Sequence, residues 1–220
     1  MPPAHYADVA VLAYPFNVQS PVVPMARDGN GQALAAGALW DADLASEYEV
    51  PTGGSTVAPR AIILEYALPQ TIRSARLFAP KAALPFIGTL FVPRLEASSD
   101  GANWRSLAEL PLGEVPATVA FAPVTARWFR LVLTPRTEAF SRLAEFGPAV
   151  SQMLRLTSPD DLFVRPVRIG EFTLSGEDRI DRAEAKAAMS LEPDYFALSH
   201  GIPDTGGVDP AGVVDLTTRL

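Results

Sequence analysis

Cysteine is missing from this 220-residue sequence, and histidine occurs only as His5 and His200. The first absence removes disulfides, thiolate metal sites and thiol nucleophiles together. The second leaves no imidazole beside a Ser or Asp pattern of the nucleophile-elbow kind, so triad chemistry has no starting point. A surface or interdomain role is the simpler reading of both histidines. An excess of positive charge is missing too: 18 Lys and Arg stand against 25 Asp and Glu, a net charge of −7 with a pI near 4.9. An acidic surface repels phosphate backbones, and no basic cluster with interleaved aromatics offsets it, which argues against nucleic acid as a partner. No apolar run approaches the roughly 20 residues of a membrane helix, so a membrane is not expected as a partner either. The opening MPPAHYADVAVLAYP carries neither a basic n-region nor a long apolar h-region, so no signal peptide is expected in this chain.

What is present is apolar and finely divided. Hydrophobic residues make up 48% of the chain, enough for a packed core. Proline, at 21 residues, is about twice its usual share and cuts the sequence into short runs, which suits strands better than helices. Residues 8–14 (DVAVLAY) form an almost unbroken apolar run closed by Pro15, the pattern of a strand buried on both faces. The Pro- and Gly-rich stretch 15–37 reads as a connector. From 38 to 176 alternation takes over: 61–68 and 72–79 read as two strands joined by a Pro-initiated turn, followed by strands at 88–97, 117–122, 127–134 and 167–174. In 127–134, Phe129, Leu131 and Leu133 share one face, while Arg127 and Arg130 fall on opposite ones. The connection 135–166 has no clean period, and a structureless loop of that length tends to be functional or to pack on a neighbour.

This pattern predicts an antiparallel sandwich over 38–176, preceded by an N-terminal arm (1–37) and followed by a C-terminal segment (177–220). Within the last, 181–189 (DRAEAKAAM) is expected to be a short helix, with Asp181 and Glu184 at capping-box spacing. The tail ends in VVDLTTRL, a strand that breaks off as it begins, and both ends look severed. The expectation is a segment of a longer protein.

Three pieces resemble a discoidin-type, galactose-binding-like domain. They are LWDADLASEYEVP (39–51), with an acidic loop ahead of the first sheet strand; EASSDGANWRSL (96–107), with a Ser-x-Asp-Gly-x-x-Trp turn; and the pair RWFRLVLTP and VRIGEFTLSG (127–135, 167–176) as last strands. The fold expected is all-β, a discoidin-like jelly-roll β-sandwich with short terminal extensions and one short helix. Asp100-Gly101 suits a tight turn because glycine takes positive φ freely, and Trp104 is placed to plug an end of the sandwich.

A narrower resemblance covers nearly the whole chain. HYADVAVLAYP (5–15), RIDRAEAKAAM (179–189) and VVDLTTRL (213–220) are similar, in order and spacing, to segments of glycoside hydrolase family 106, the α-L-rhamnosidases. The resemblance implies a large, exported sugar hydrolase as parent, with its (β/α)₈ barrel, catalytic carboxylates and bound calcium lying outside this chain. No catalytic residue carries over, and the chain alone is expected to be inactive. The role implied is a non-catalytic accessory segment that supports or shapes carbohydrate binding. Its partners would be a rhamnose-containing polysaccharide and the catalytic domain of the same parent. A stand-alone lectin-like module and a purely structural insert are the alternatives.

Glycoside hydrolysis needs two carboxyl groups about 5–9 Å apart, and nothing in the spacing of the acids between Asp41 and Glu171 selects a pair. Sugar binding needs an exposed aromatic flanked by hydrogen-bonding groups. Tyr48 beside Glu47, Phe86 in the ALPFIG loop, and Trp40 are the candidates, while Trp104 and Trp128 read as core. The resemblance to discoidin-like modules further implies a structural calcium between the acidic opening loop and a Glu of the last strand. Asp41, Asp43 and Glu171 match those places and offer hard oxygen ligands. The same residues also allow a plainer reading, in which Asp41 and Asp43 cap a turn and Glu171 pairs with an Arg.

Overall fold

The computed structural model describes residues 12–13, 22–55, 57–84, 88–190, 198 and 209–217. In chain order the strands and helices begin with β1 (Leu12–Ala13), β2 (Met25–Asp28), β3 (Tyr48–Val50), β4 (Arg60–Phe78), β5 (Ala83–Leu84) and β6 (Gly88–Thr89). Next come β7 (Phe91–Ser98), β8 (Arg105–Glu109), β9 (Ala117–Pro135), α1 (Thr137–Glu145) and α2 (Pro148–Leu154). The last are β10 (Val167–Ile169), β11 (Glu171–Ser175), α3 (Ala183–Lys186) and β12 (Val214–Asp215).

The alternating segments form one antiparallel ladder in the order β11–β4–β9–β7–β8, with β2 also on β4. The two strand pairs expected at 61–79 and 117–134 are each a single 19-residue strand, β4 and β9. The Pro-initiated turn is absent. Between the pairs Glu65↔Trp128 and Gln70↔Ala126, residues 66–69 of β4 stand opposite Arg127; between Ile72↔Val124 and Ser74↔Ala120, residues 121–123 of β9 stand opposite Arg73. Pro69 and Pro123 fall inside these two insertions, where a missing N–H costs no ladder bond.

The insertions divide the ladder into two layers. One half of β4 carries β2 (Met25↔Glu65 to Asp28↔Ile62), and the other carries β11 (Glu171↔Phe78 to Ser175↔Ser74). Along β9, strand β7 covers the C-terminal half alone, Phe91↔Pro135 to Ser98↔Trp128. Ile62, Leu64 and Leu131 from the first half and Ile72, Leu77 and Phe172 from the second close on one core, the arrangement of a β-sandwich. The all-β expectation holds, and Phe129, Leu131 and Leu133 share the buried face. Strand β2 lies inside the stretch expected to be a connector and extends the sheet instead.

The connection 135–166 is structured rather than a loop. Helix α1 buries Ala139 and Leu143, one turn apart, and α2 follows Gly147, whose φ of 87° a side chain would resist. Leu156 and Leu162 complete the seal. The buried Arg60 ties this segment to the start of β4 by donating to the carbonyls of Leu162 (2.8 Å) and Arg165 (2.9 Å), and burial pulls its pKa down.

The capping box expected at Asp181 and Glu184 is not formed. Helix α3 is only Ala183–Lys186, entered through a left-handed Arg182 (φ 54°). The two acids are drawn elsewhere because the first half of β9 lacks a β7 partner and presents bare edge groups. Glu184 accepts from Thr118 N (2.9 Å) and Thr118 Oγ1 (2.7 Å), Asp181 accepts from Ala120 N (3.0 Å), and Arg182 N donates to Thr118 O (2.8 Å).

The turn after β7 follows its sequence. Gly101 takes φ 75°, and Ser98 Oγ accepts from its N–H at 2.9 Å. Asp100 accepts from the side chain and N–H of Asn103 and from the N–H of Ala102, and these bonds hold its carboxyl well below the usual range. A lowered folded pKa means that the stabilisation is complete above about pH 4 and is lost as the pH falls further. The difference in melting temperature between the chain and Asp100→Asn is therefore expected to shrink between neutral pH and about pH 2. A difference constant across that range would contradict the capping role.

Of the apolar run 8–14, only Leu12 and Ala13 lie among the described residues. They pair antiparallel with Asp215 and Val214, and Leu12 is 56% exposed, so this part is not buried on both faces.

Candidate functional site

The aromatics proposed for sugar contact sit lower than loop tips. Tyr48, on β3, pairs with Ile169 of β10, and Trp40 follows a 3-10 turn at Gly37–Leu39; both rings are half-buried against the core. Trp40 closes a small cavity of about 90 Å³ with Tyr66 and Phe172. Burial and then the nearby Asp28 charge push the Tyr48 phenol pKa up. Phe86, like His5 and His200, lies outside the described residues.

Asp41 and Asp43 share one turn. Asp41 accepts from Asp43 N (2.9 Å) and Ser46 Oγ (2.7 Å), two bonds that lower its pKa, and Asp43 accepts from Ala45 N (2.9 Å). Glu171 is buried against the Arg76 guanidinium, 3.3 Å away. Among the described residues, no three His, Asp or Glu side chains are grouped to hold a metal ion. The geometry observed is a turn cap and an Arg pair.

The sheet's outer face holds what the sequence did not mark. Trp128 stands opposite Glu65 and Ser98 and so points away from the core; Arg130 stands opposite Ile63 and Glu96. Arg127 falls in the insertion, alternation slips there, and it reaches the same outer face as Arg130 rather than the opposite one. Glu65 is held between Arg27 (3.1 Å) and Arg127 (2.9 Å), and Glu96 between Arg94 (3.4 Å) and Arg130 (2.6 Å). The Arg127 guanidinium lies 4.6 Å over the Trp128 ring and that of Arg130 4.3 Å over Trp104. Trp104 thus packs on an outer-face arginine instead of plugging an end. The available signal was Arg94, Glu96, Trp128 and Arg130, each one residue out of step with a core position.

Beside this array a cleft of about 410 Å³ opens between the turn at 28–30, the loop stretches 51–54 and 57–59, and the outer face of β4 and β9. Ala61, Ile63 and Val132 supply apolar surface; Asp28, Asn30, Thr52 and Arg130 supply polar groups. The loop depends on Gly54, at φ 94°, where a Cβ would stand 2.9 Å from Ala58 O and 3.0 Å from Arg60 N. Gly54→Ala is expected to lower stability by about 1–3 kcal/mol, read as a shifted urea midpoint. A second cavity, about 350 Å³, lies between the 111–117 loop and α3.

The chain is similar to parts of several solved proteins. A solved rhamnosidase from Novosphingobium sp. PP1Y is 35% identical to the chain, with a TM-score of 0.61, across 96% of this chain and 17% of that one. A pectin-binding carbohydrate-binding module aligns at 16% identity over 71% of this chain and 92% of its own, with a TM-score of 0.43. Chitosan-binding module 1, from a chitosanase/glucanase of Paenibacillus sp. IK-5, aligns at 16% identity over 70% and 96%, with a TM-score of 0.44. Neither of the last two is close enough to bear on a ligand. No protein-family model matches the chain, and no curated protein does. The chain spans 17% of the rhamnosidase's length and is similar, over 96% of its own, to that one segment of it.

Proposed function

We propose that this chain is a non-catalytic β-sandwich segment of an α-L-rhamnosidase-like glycoside hydrolase, where it supports or shapes carbohydrate binding. The observation that carries the reading is the match to a rhamnosidase at 35% identity over 96% of the chain. The carboxylates agree with a non-catalytic part: Glu65 and Glu96 are each committed to two arginines, and Asp181 and Glu184 to the edge of β9. Its contribution is positional, since a rigid sandwich holds contacting groups in place without reorganisation when substrate arrives. The partners in this reading are the catalytic domain of the same parent and a rhamnose-containing polysaccharide. Leu12 and Val214, on the paired β1 and β12, are 56% and 52% exposed and offer apolar surface to such a domain.

A chimera tests the proposal. Replacing the matched stretch of the Novosphingobium rhamnosidase with this chain is expected to preserve hydrolysis of an aryl rhamnoside to within about tenfold, whereas deleting the stretch abolishes it. The isolated chain is expected to show no turnover. A folded chimera without activity, or turnover by the isolated chain, would sink the reading.

A further inference from the structure

We infer that the cleft on the outer face of β4 and β9 is a saccharide subsite, taking a neutral pyranose with its C–H face on Ile63 and Val132 and its hydroxyls on Asp28, Asn30 and Arg130. The inference rests on the accessory carbohydrate reading above and adds a location and a ligand class to it.

The volume, about 410 Å³, lies within the range of small-molecule sites, roughly 300–1,000 Å³. Its composition suits a sugar ring, which shows one apolar face and a rim of hydroxyls. Two of the polar groups, Asp28 and Arg130, are fixed before any ligand arrives. Asp28 Oδ1 accepts from Asn30 N (2.9 Å) and Gln32 N (2.8 Å), which orients the carboxylate and leaves Oδ2 outside those bonds. Arg130 is held from two sides. Its Nε and Nη2 lie 2.8 and 2.6 Å from Glu96 Oε2, and its guanidinium lies over Trp104. Nη1 stays outside that pair as a donor set in place by its surroundings. Gly53, at φ 125° with nothing within 4 Å of a built Cβ, keeps the neighbouring wall free of a side chain.

Charge selects a neutral ligand. The Arg130 cation is already answered by Glu96, and Arg60, the other cation of the cleft, is buried with its guanidinium committed to the carbonyls of Leu162 and Arg165. The less buried Asp28 carboxylate is therefore the charge that faces an anionic sugar and repels it.

Titrating the isotope-labelled 220-residue chain with methyl α-L-rhamnopyranoside, and separately with D-galacturonate, tests the site through backbone amide shifts. The expected result is saturable shifts at 28–30, 50–54, 61–63 and 130–132 with the rhamnoside, and weaker ones with galacturonate. Asn30→Ala, an exposed turn position, and Ile63→Trp, which fills the floor, should each weaken binding about tenfold or more with unchanged circular dichroism. Three results would overturn the inference: shifts confined to Trp40 and Tyr48, tighter binding of galacturonate, or no shifts from a folded chain. An active chimera with a silent cleft sinks the subsite alone, and a binding cleft in an inactive chimera sinks the accessory reading alone.

Discussion

Phe129→Ala is expected to destabilise the chain by about 3–5 kcal/mol, the cost of a large side chain removed from a core that cannot collapse around the void. Phe129 is fully buried at the centre of β9, with Leu64 of β4 on one side in register and Ala97 of β7 on the other. Its ring meets Tyr66 edge to face, 6.0 Å between centroids at 88°. Tyr66 is itself buried, which pushes its phenol pKa up to about 12. Because both flanking strands are tied into the ladder, the neighbours have little room to relax. Equilibrium urea unfolding should show the loss as a lower midpoint at unchanged slope, and Phe129→Leu should cost markedly less. A loss below about 1 kcal/mol for the alanine variant would mean that the ring does not sit between these strands.

The second large effect is expected at the capped edge of β9. Glu184→Ala removes the acceptor of a backbone N–H and a hydroxyl on Thr118, which is 3% exposed, so the stranded donors should cost about 1–3 kcal/mol. Glu184→Gln keeps an acceptor oxygen and should cost less. Asp181→Ala strands Ala120 N in the same way. The two sites serve neighbouring residues of one strand, so the double variant should depart from additivity. Hydrogen exchange gives the discriminating readout: the amides of Thr118 and Ala120 should lose protection in the variants, while those of 128–133 keep it. Uniform loss of protection, or none, would mean that the segment 181–186 does not cap this edge.

Much of the sheet was legible because strand alternation is a local signal. The alternation in 61–68 and 127–134 marked both stretches as strands, and in the second it put Phe129, Leu131 and Leu133 on one face, the face that is buried. The Ser98–Gly101 turn was readable for the same reason, since its bonds join residues close in sequence. Pro69 was misread because a proline that starts a turn and one that sits in a strand insertion look alike until the partner strand is known. Helix α1 escaped because its inward positions, Ala139 and Leu143, repeat only once.

The site was less legible than the fold. Its sugar-contact candidates were chosen as loop aromatics, yet burial of Tyr48 and Trp40 depends on how β3 and the 37–40 turn lie on the core. Trp104 and Arg130 come together across 26 positions of sequence, and Asp28 reaches the same cleft from β2. No local pattern encodes that meeting.

By itself the sequence determined the chemistry that is out of reach and the class of fold. Without cysteine it holds no thiol chemistry, and its proline-cut alternation makes strands. Tertiary structure alone decided which strands run through the insertions, which acids cap an edge instead of a helix, and which face gathers tryptophan, arginine and carboxylate. The physical reason is that alternation sets only which way a side chain points along one strand. Register between strands sets what it meets, and register is a property of the pair.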